Sequence, residues 1–258
     1  MLWPDDENHP FVGIAEKLKR SHESILNLHL EIGAFFEGGK YPVIPDANSK
    51  EWQEALDYHR DLTIPRRFSV LSGEIIHHLR TCLDHIVWHF SSSHYRIEAE
   101  NAIEFPVFRE EPLTKDKISR YERKVKGVTK PEILELIRKS QPYNRGGDPE
   151  NDPICIVHDM DRFDKHRELV IVASRANLSF ESMPRLEVAR VLTKYSHGEP
   201  VTRAESVLAQ EAVKKDAIVS PQIAFSQFGK RKDQLVVPVL LQLHEAIFKR
   251  IDLFEDLI

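Results

Sequence analysis

Between His77 and His89 the chain places four of its 13 histidines, together with Arg80, Cys82 and Asp84. At 100° per residue, His78, Cys82, His85 and His89 fall on one flank of a helix, and His77, Arg80, Asp84 and Trp88 on the other. The seam between them is apolar: Ile76, Leu79, Leu83, Ile86, Val87 and Phe90. Such flanks are held by packing and can still reach a ligand. Three kinds of chemistry fit the set. In the first, His85 and His89, at i and i+4, grip a metal ion, as His78 and Cys82 would. Eleven residues of helix span about 16 Å, so the four cannot share one ion, and Asp159, Asp164 or His166 would have to help. With no second tight ligand cluster, no metal and no other cofactor is expected; if an ion does bind, His85, His89 and His78 are its ligands. The second is metal-free acid–base work on a phosphodiester, with His85 moving the proton and the planar fork of Arg80 holding the phosphate. The third is structural. Arg80 and Asp84 pair at i and i+4, and with Asp164 and His166 form a satisfied polar network in a non-enzymatic binding or interaction protein.

The elements that must position these residues follow from periodicity. The central helix runs from Pro65 to Phe90, where Ser91-Ser92-Ser93 follows. Ile14, Leu18, Ile25, Leu28, Ile32 and Phe35 predict a helix from about Pro10 to Phe36, stopped by Gly38-Gly39. Leu240, Leu243, Ile247, Ile251, Phe254 and Ile258 predict another from Pro238 to Leu257. Each end helix has one apolar face to bury, and the central helix is its natural partner. Between Tyr41 and Ile64 a connector holds a short helix around Trp52 to Leu56 and a strand from Tyr58. Ala102 to Phe108 reads as an edge strand, because Pro106 excludes a central one. A short helix spans Pro131 to Lys139, and a longer one runs from Asp152 to Arg167 and ends in ionisable groups from His158 onward. After Glu168 come short alternating runs, 169–174, 185–194, 201–208 and 217–228, the pattern of an antiparallel meander. The expected fold is α+β: a helical bundle over 1–166, an antiparallel β insert over 167–234, and a C-terminal helix over 235–258 packing back on the bundle.

The 258 residues suffice for a large core without staples, and the net charge of -5 excludes a protein coated in positive charge. Between Lys115 and Lys130, however, seven lysines and arginines face two acids, either a solvated helix face or a phosphate-contacting surface. Cys82 and Cys155 sit in apolar contexts and are expected to be reduced, buried thiols. The N-terminus carries no export signal and no segment is apolar for long enough to span a bilayer, so no membrane association and a cytoplasmic location are expected. The absence of a glycine-rich phosphate loop, a Gly-x-Ser-x-Gly elbow and a Cys-x-x-Cys pair disfavours P-loop hydrolases, α/β-hydrolases and zinc ribbons.

Arg80 and His85 also form an Arg-x4-His motif on a core helix, which resembles the HEPN superfamily of helical bundles. Many of its members are RNA-cleaving toxins and defence proteins whose Arg and His face a cleft between two protomers. The resemblance implies a metal-independent endoribonuclease of toxin or defence type, acting as a homodimer on RNA, with a cognate antitoxin or neighbouring-gene protein as partner. The candidate catalytic set is Arg80, His85 and Asp84, and Asp164, His166, Arg167 and His77 are candidates to support or bind. Thr81 stands where that family often has Asn, Asp or His. More broadly, Leu79-Arg80-x-x-Leu83-Asp84-His85, Phe105-Pro106-Val107-Phe108, Gln141-Pro142-Tyr143 and Asp164-Lys165-His166-Arg167 resemble a group of uncharacterised bacterial proteins, which brings no activity with it.

Overall fold

The computed structural model describes residues 9–37, 63–166, 171–180, 217–226 and 234–258, with isolated positions between 187 and 208. Its centre is the histidine-bearing helix, α2 (Arg66–Phe90), which starts after Pro65 and ends where Ser91 turns extended. Ile75, Ile76, Leu79, Leu83, Ile86 and Val87 are all fully buried, the seam expected from spacing. α1 (Val12–Glu37) lies antiparallel to it. Arg67, at the start of α2, donates to Glu31 near the end of α1 at 2.7 and 2.8 Å, while Cys82 reaches the Ile14 carbonyl near its start.

The C-terminal helix completes this layer. It runs Val236–Glu255 and packs on both α1 and α2 through Leu240, Leu243, Ile247, Ile251 and Phe254. Pro238 is tolerated because it stands in the first turn, where an N–H has no partner to lose. Both end helices therefore pack on the central one.

Shorter helices follow α2 in the chain. After α3 (Ser93–Glu98) come α4 (Lys115–Val125), α5 (Pro131–Lys139) and α6 (Pro153–Asp164). α6 is opened by Asp152, whose Oδ1 accepts from the Ile154 N–H at 2.9 Å, with Pro153 in the first turn. It packs on α2 and on the C-terminal helix, which is α7. The end of α6 meets α2 at Gly73, where the Asp164 carboxylate occupies the space of a Cβ, 2.3 Å from where one would stand. The end of α4 is seated in the same way. Gly127 leaves no room for a side chain against Tyr95 and Ser91, and its carbonyl accepts from the Ser92 N–H at 2.8 Å. Among the described residues no helix is long and apolar enough to cross a membrane.

Two expectations about β structure are corrected. Among the described residues, 103–108 join no strand; side chains from two other segments, Arg80 and Asp84 of one and Gln141 of the other, take backbone groups of Phe105, Pro106 and Phe108. The antiparallel meander over 167–234 is not supported either. Among the described residues the insert holds one antiparallel pair, β1 (Ile171–Phe180) with β2 (Ala217–Phe225), registered Ile171↔Phe225 to Phe180↔Ala217. The inner end of β2 is anchored in the bundle core by Ile223 and Phe225. The described positions within 185–194 and 203–208 are instead helical. The run at 201–208 begins with a capping box: the Thr202 N–H donates to Glu205 Oε2 at 2.7 Å, and the Glu205 N–H to Thr202 Oγ1 at 3.3 Å. A few alternating apolar residues fit a helical turn as well as a strand, and the cap decides. The helix expected to reach Arg167 ends at Asp164, and the connector elements expected between 41 and 62 lie outside the described residues.

Candidate functional site

Arg80 is 3% exposed, and its guanidinium is spent on the protein's own backbone. Nη2 donates to the Phe105 carbonyl at 2.9 Å, and Nη1 lies 2.9 Å from Asp84 Oδ1 as an ion pair outside hydrogen-bonding angle. The same Asp84 oxygen accepts from the Phe105 N–H at 2.8 Å. One turn of α2 thus grips both backbone groups of Phe105, much as a neighbouring strand would. Gln141, 2% exposed, continues the grip: its Nε2 donates to the Pro106 carbonyl at 2.9 Å and its Oε1 accepts from the Phe108 N–H at 3.2 Å. Burial pushes the Asp84 carboxyl up, while Arg80 and the Phe105 N–H pull it down.

His85 belongs to the opposite side. It is half-buried, and burial followed by the nearby Lys17 of α1 lowers its pKa. Arg80 instead looks toward Phe105, Glu104 and the charges of Lys124 and His158. Five residues of straight helix turn about 140°, and the two side chains diverge accordingly. Within one chain the two therefore point apart, as their opposite flanks in the sequence require.

The remaining nominated residues divide among separate neighbours. His77 Nδ1 lies 2.8 Å from Asp161 Oδ1, and Lys165 Nζ 2.7 Å from Asp161 Oδ2, so both oxygens of this buried carboxylate are engaged. Asp164 sits against Gly73, and His166 is exposed just past the end of α6. Arg167 lies outside the described residues. His78 is pushed down by burial and by Lys17, and its Nδ1 is buried without a hydrogen bond. His89 stands edge-on to Phe11 at 5.4 Å and is lowered by burial and Arg96. Among the described residues no three His, Cys, Asp or Glu side chains converge on a point that would hold an ion. The stripe of His78, His85 and His89 faces α1 and its surroundings as separate groups.

Beyond the Arg80 clamp a cleft of about 380 Å³ opens between α4 and α6, edged by residues 107–110. α4 contributes Lys117, Arg120 and Lys124, a stripe at i, i+3 and i+7; α6 contributes Cys155, His158, Asp159 and Arg162, at i, i+3, i+4 and i+7. Much of this charge is internally paired. Arg109 contacts Asp159, Lys117 Nζ lies 2.5 Å from Glu110 Oε2, and Lys124 contacts Glu104. Arg120 and Arg162 are exposed and make no ion pair with a described residue.

The deeper groups are perturbed by this crowd of cations. Burial, then Arg80, Lys124 and Arg162, push the His158 imidazole down to about 4 against the pull of Asp159. Burial and Arg80 lower the Lys124 ammonium to about 8, and the Asp84 carboxylate opposes that fall. Cys155 is pushed up to about 11 by burial and Asp159, and Cys82 to about 12 by burial, so both are protonated, unreactive thiols. Sequence reasoning placed the basic run and the charged end of α6 but not their meeting, nor the parts of Arg109, His158 and Arg162. The polar stripes at i, i+3 and i+7 on both helices were the signal for it.

Comparison with protein-family models, with curated proteins and with solved structures returned no match for this chain.

Proposed function

We propose that this protein binds a phosphate-bearing ligand in the cleft between α4 and α6, and that Arg80 and Asp84 hold the cleft's edge in shape without reacting. The observation that carries this reading is the pair Arg120 and Arg162, two exposed guanidinium groups on the facing helices of one cleft that have no carboxylate partner among the described residues. Guanidinium presents a donor fork matched to phosphate oxygens. The clamp on residues 105–108 fixes the segment that leads into Arg109. A ribonuclease built on Arg80 and His85 would instead require Arg80 to release the Phe105 carbonyl, leaving a buried acceptor and Asp84 without their partner.

Thermal unfolding with and without pyrophosphate, at constant ionic strength, tests the reading. A ligand that binds only the folded state stabilises it by about 2.7 kcal/mol at about 100 times its Kd, a rise of several degrees in Tm for a chain of this size. The rise is expected in the parent and absent in Arg120→Glu/Arg162→Glu, whose exposed positions leave the core untouched. An equal rise in parent and variant, or none in the parent, would refute it.

A further inference from the structure

We infer that the cleft is built for a single phosphomonoester dianion on a small molecule, and not for the backbone of a nucleic-acid strand. This rests on the cleft being a phosphate site and adds the class of phosphate. The first argument is charge. Around the cleft, Arg80 and Lys124 are balanced by Asp84 and Glu104, Arg109 by Asp159, and Lys117 by Glu110. Arg120 and Arg162 are left, two positive charges, while His158 stays neutral at pH 7. A phosphomonoester carries about two negative charges at that pH, its second pKa being about 6. A diester in a nucleic-acid backbone carries one, and successive phosphates would need a track of further cations.

The second argument is that the basic run from Lys115 to Lys130 does not form such a track. The basic run that suggested one is dispersed by the fold. Lys126 covers the Tyr95 ring at 5.8 Å. Lys130 lies over Phe90 at 5.7 Å and donates to the Leu257 carbonyl at 3.1 Å, at the end of the chain's last helix. Arg123 lines a neighbouring depression beside α3, which adjoins the cleft at Lys124 and where Glu98, Glu100 and Glu104 add negative charge. Strand-binding grooves also offer exposed aromatic platforms on which bases stack. The aromatic side chain lining this cleft is Phe108, and its ring is packed against Tyr121, centroids 5.7 Å apart. A volume of about 380 Å³ lies at the small end of ligand sites and suits one compact phosphorylated molecule.

Isothermal titration calorimetry at pH 7.5 with phenyl phosphate, dimethyl phosphate and a single-stranded oligouridylate separates the classes. Phenyl phosphate is expected to bind, and dimethyl phosphate to bind at least about tenfold more weakly, since it lacks the second charge. Arg120→Gln and Arg162→Gln should each weaken phenyl phosphate by about tenfold or more. Dimethyl phosphate binding as tightly as phenyl phosphate would overturn the assignment, as would oligouridylate binding more tightly than either and losing affinity in the two variants. In both cases the phosphate-site reading itself would survive. Failure of every probe, pyrophosphate included, would remove the site along with the assignment.

Discussion

Replacing Arg80 with alanine is expected to destabilise the fold by about 3–5 kcal/mol, the range for removing one member of a buried, hydrogen-bonded ion pair. The change removes more than an attraction. It leaves the Phe105 carbonyl without its donor, Asp84 without its cation, and Glu104 with Lys124 alone. It also opens space beside Leu79 and Leu83, both fully buried. Making both positions apolar, Arg80→Met with Asp84→Leu, is expected to remain costly, because the Phe105 N–H and carbonyl would both lose their partners. Arg80→Lys should recover only part of the loss, since one ammonium lacks the planar fork that reaches Phe105 and Asp84 together. His85→Ala, on the far flank, should cost much less. Urea unfolding of the four variants measures this directly. An Arg80→Ala protein as stable as the parent would remove the clamp from the account.

The second large effect is a loss of stability in mild acid that runs through His158. Its folded pKa is about 4, below the ordinary 6.5, so the unfolded chain takes up this proton before the folded one does. The contribution is fully present above pH 6.5, declines as the pH falls toward 4, and changes no further below that. Over that window it amounts to about 3 kcal/mol. His78, His85, His89 and His244 are lowered too and act in the same direction, so the parent's slope alone does not identify the group. The difference between parent and His158→Gln does. Denaturant-derived stabilities at pH 7 and pH 4.5 should fall by about 2–3 kcal/mol more in the parent. Parallel losses would show that His158 is not held neutral among those cations. A bound phosphate dianion should blunt the effect, because its charge favours the imidazolium.

What was legible in the sequence were the long apolar seams. Ile14 to Phe36, Ile75 to Phe90 and Leu240 to Phe254 each repeat over several turns, and the three helices they form pack as their faces require. The place of α6 beside α2 was also legible, since its charges needed partners: His77 meets Asp161, and Asp164 fills the space at Gly73. Short runs were not. Ala102 to Phe108 has the residues of a strand, yet Arg80, Asp84 and Gln141 take the backbone groups of Phe105, Pro106 and Phe108 from 21 to 35 residues away, which no local pattern records. Those same residues bring the stretches Leu79-Arg80-x-x-Leu83-Asp84, Phe105-Pro106-Val107-Phe108 and Gln141-Pro142-Tyr143 of this chain together as one structural lock. The Arg-x4-His spacing suggested chemistry through its residue types, although the two residues already fell on opposite flanks at 100° per residue. The turn of about 140° per five residues sends Arg80 toward α4 and α6 and His85 toward α1. The cleft was missed because it is made by two helices separated by an intervening helix, and only their polar stripes announce it.

Backbone amide chemical shifts of uniformly labelled protein, followed while phenyl phosphate is added, test the central claim most directly, because they report position without presuming activity. The account expects saturable shifts concentrated at residues 107–110, in α4 from Lys117 to Lys124, and in α6 from Cys155 to Arg162. Shifts concentrated instead around Lys17, His85 and His89, with the α4–α6 cleft silent, would contradict it.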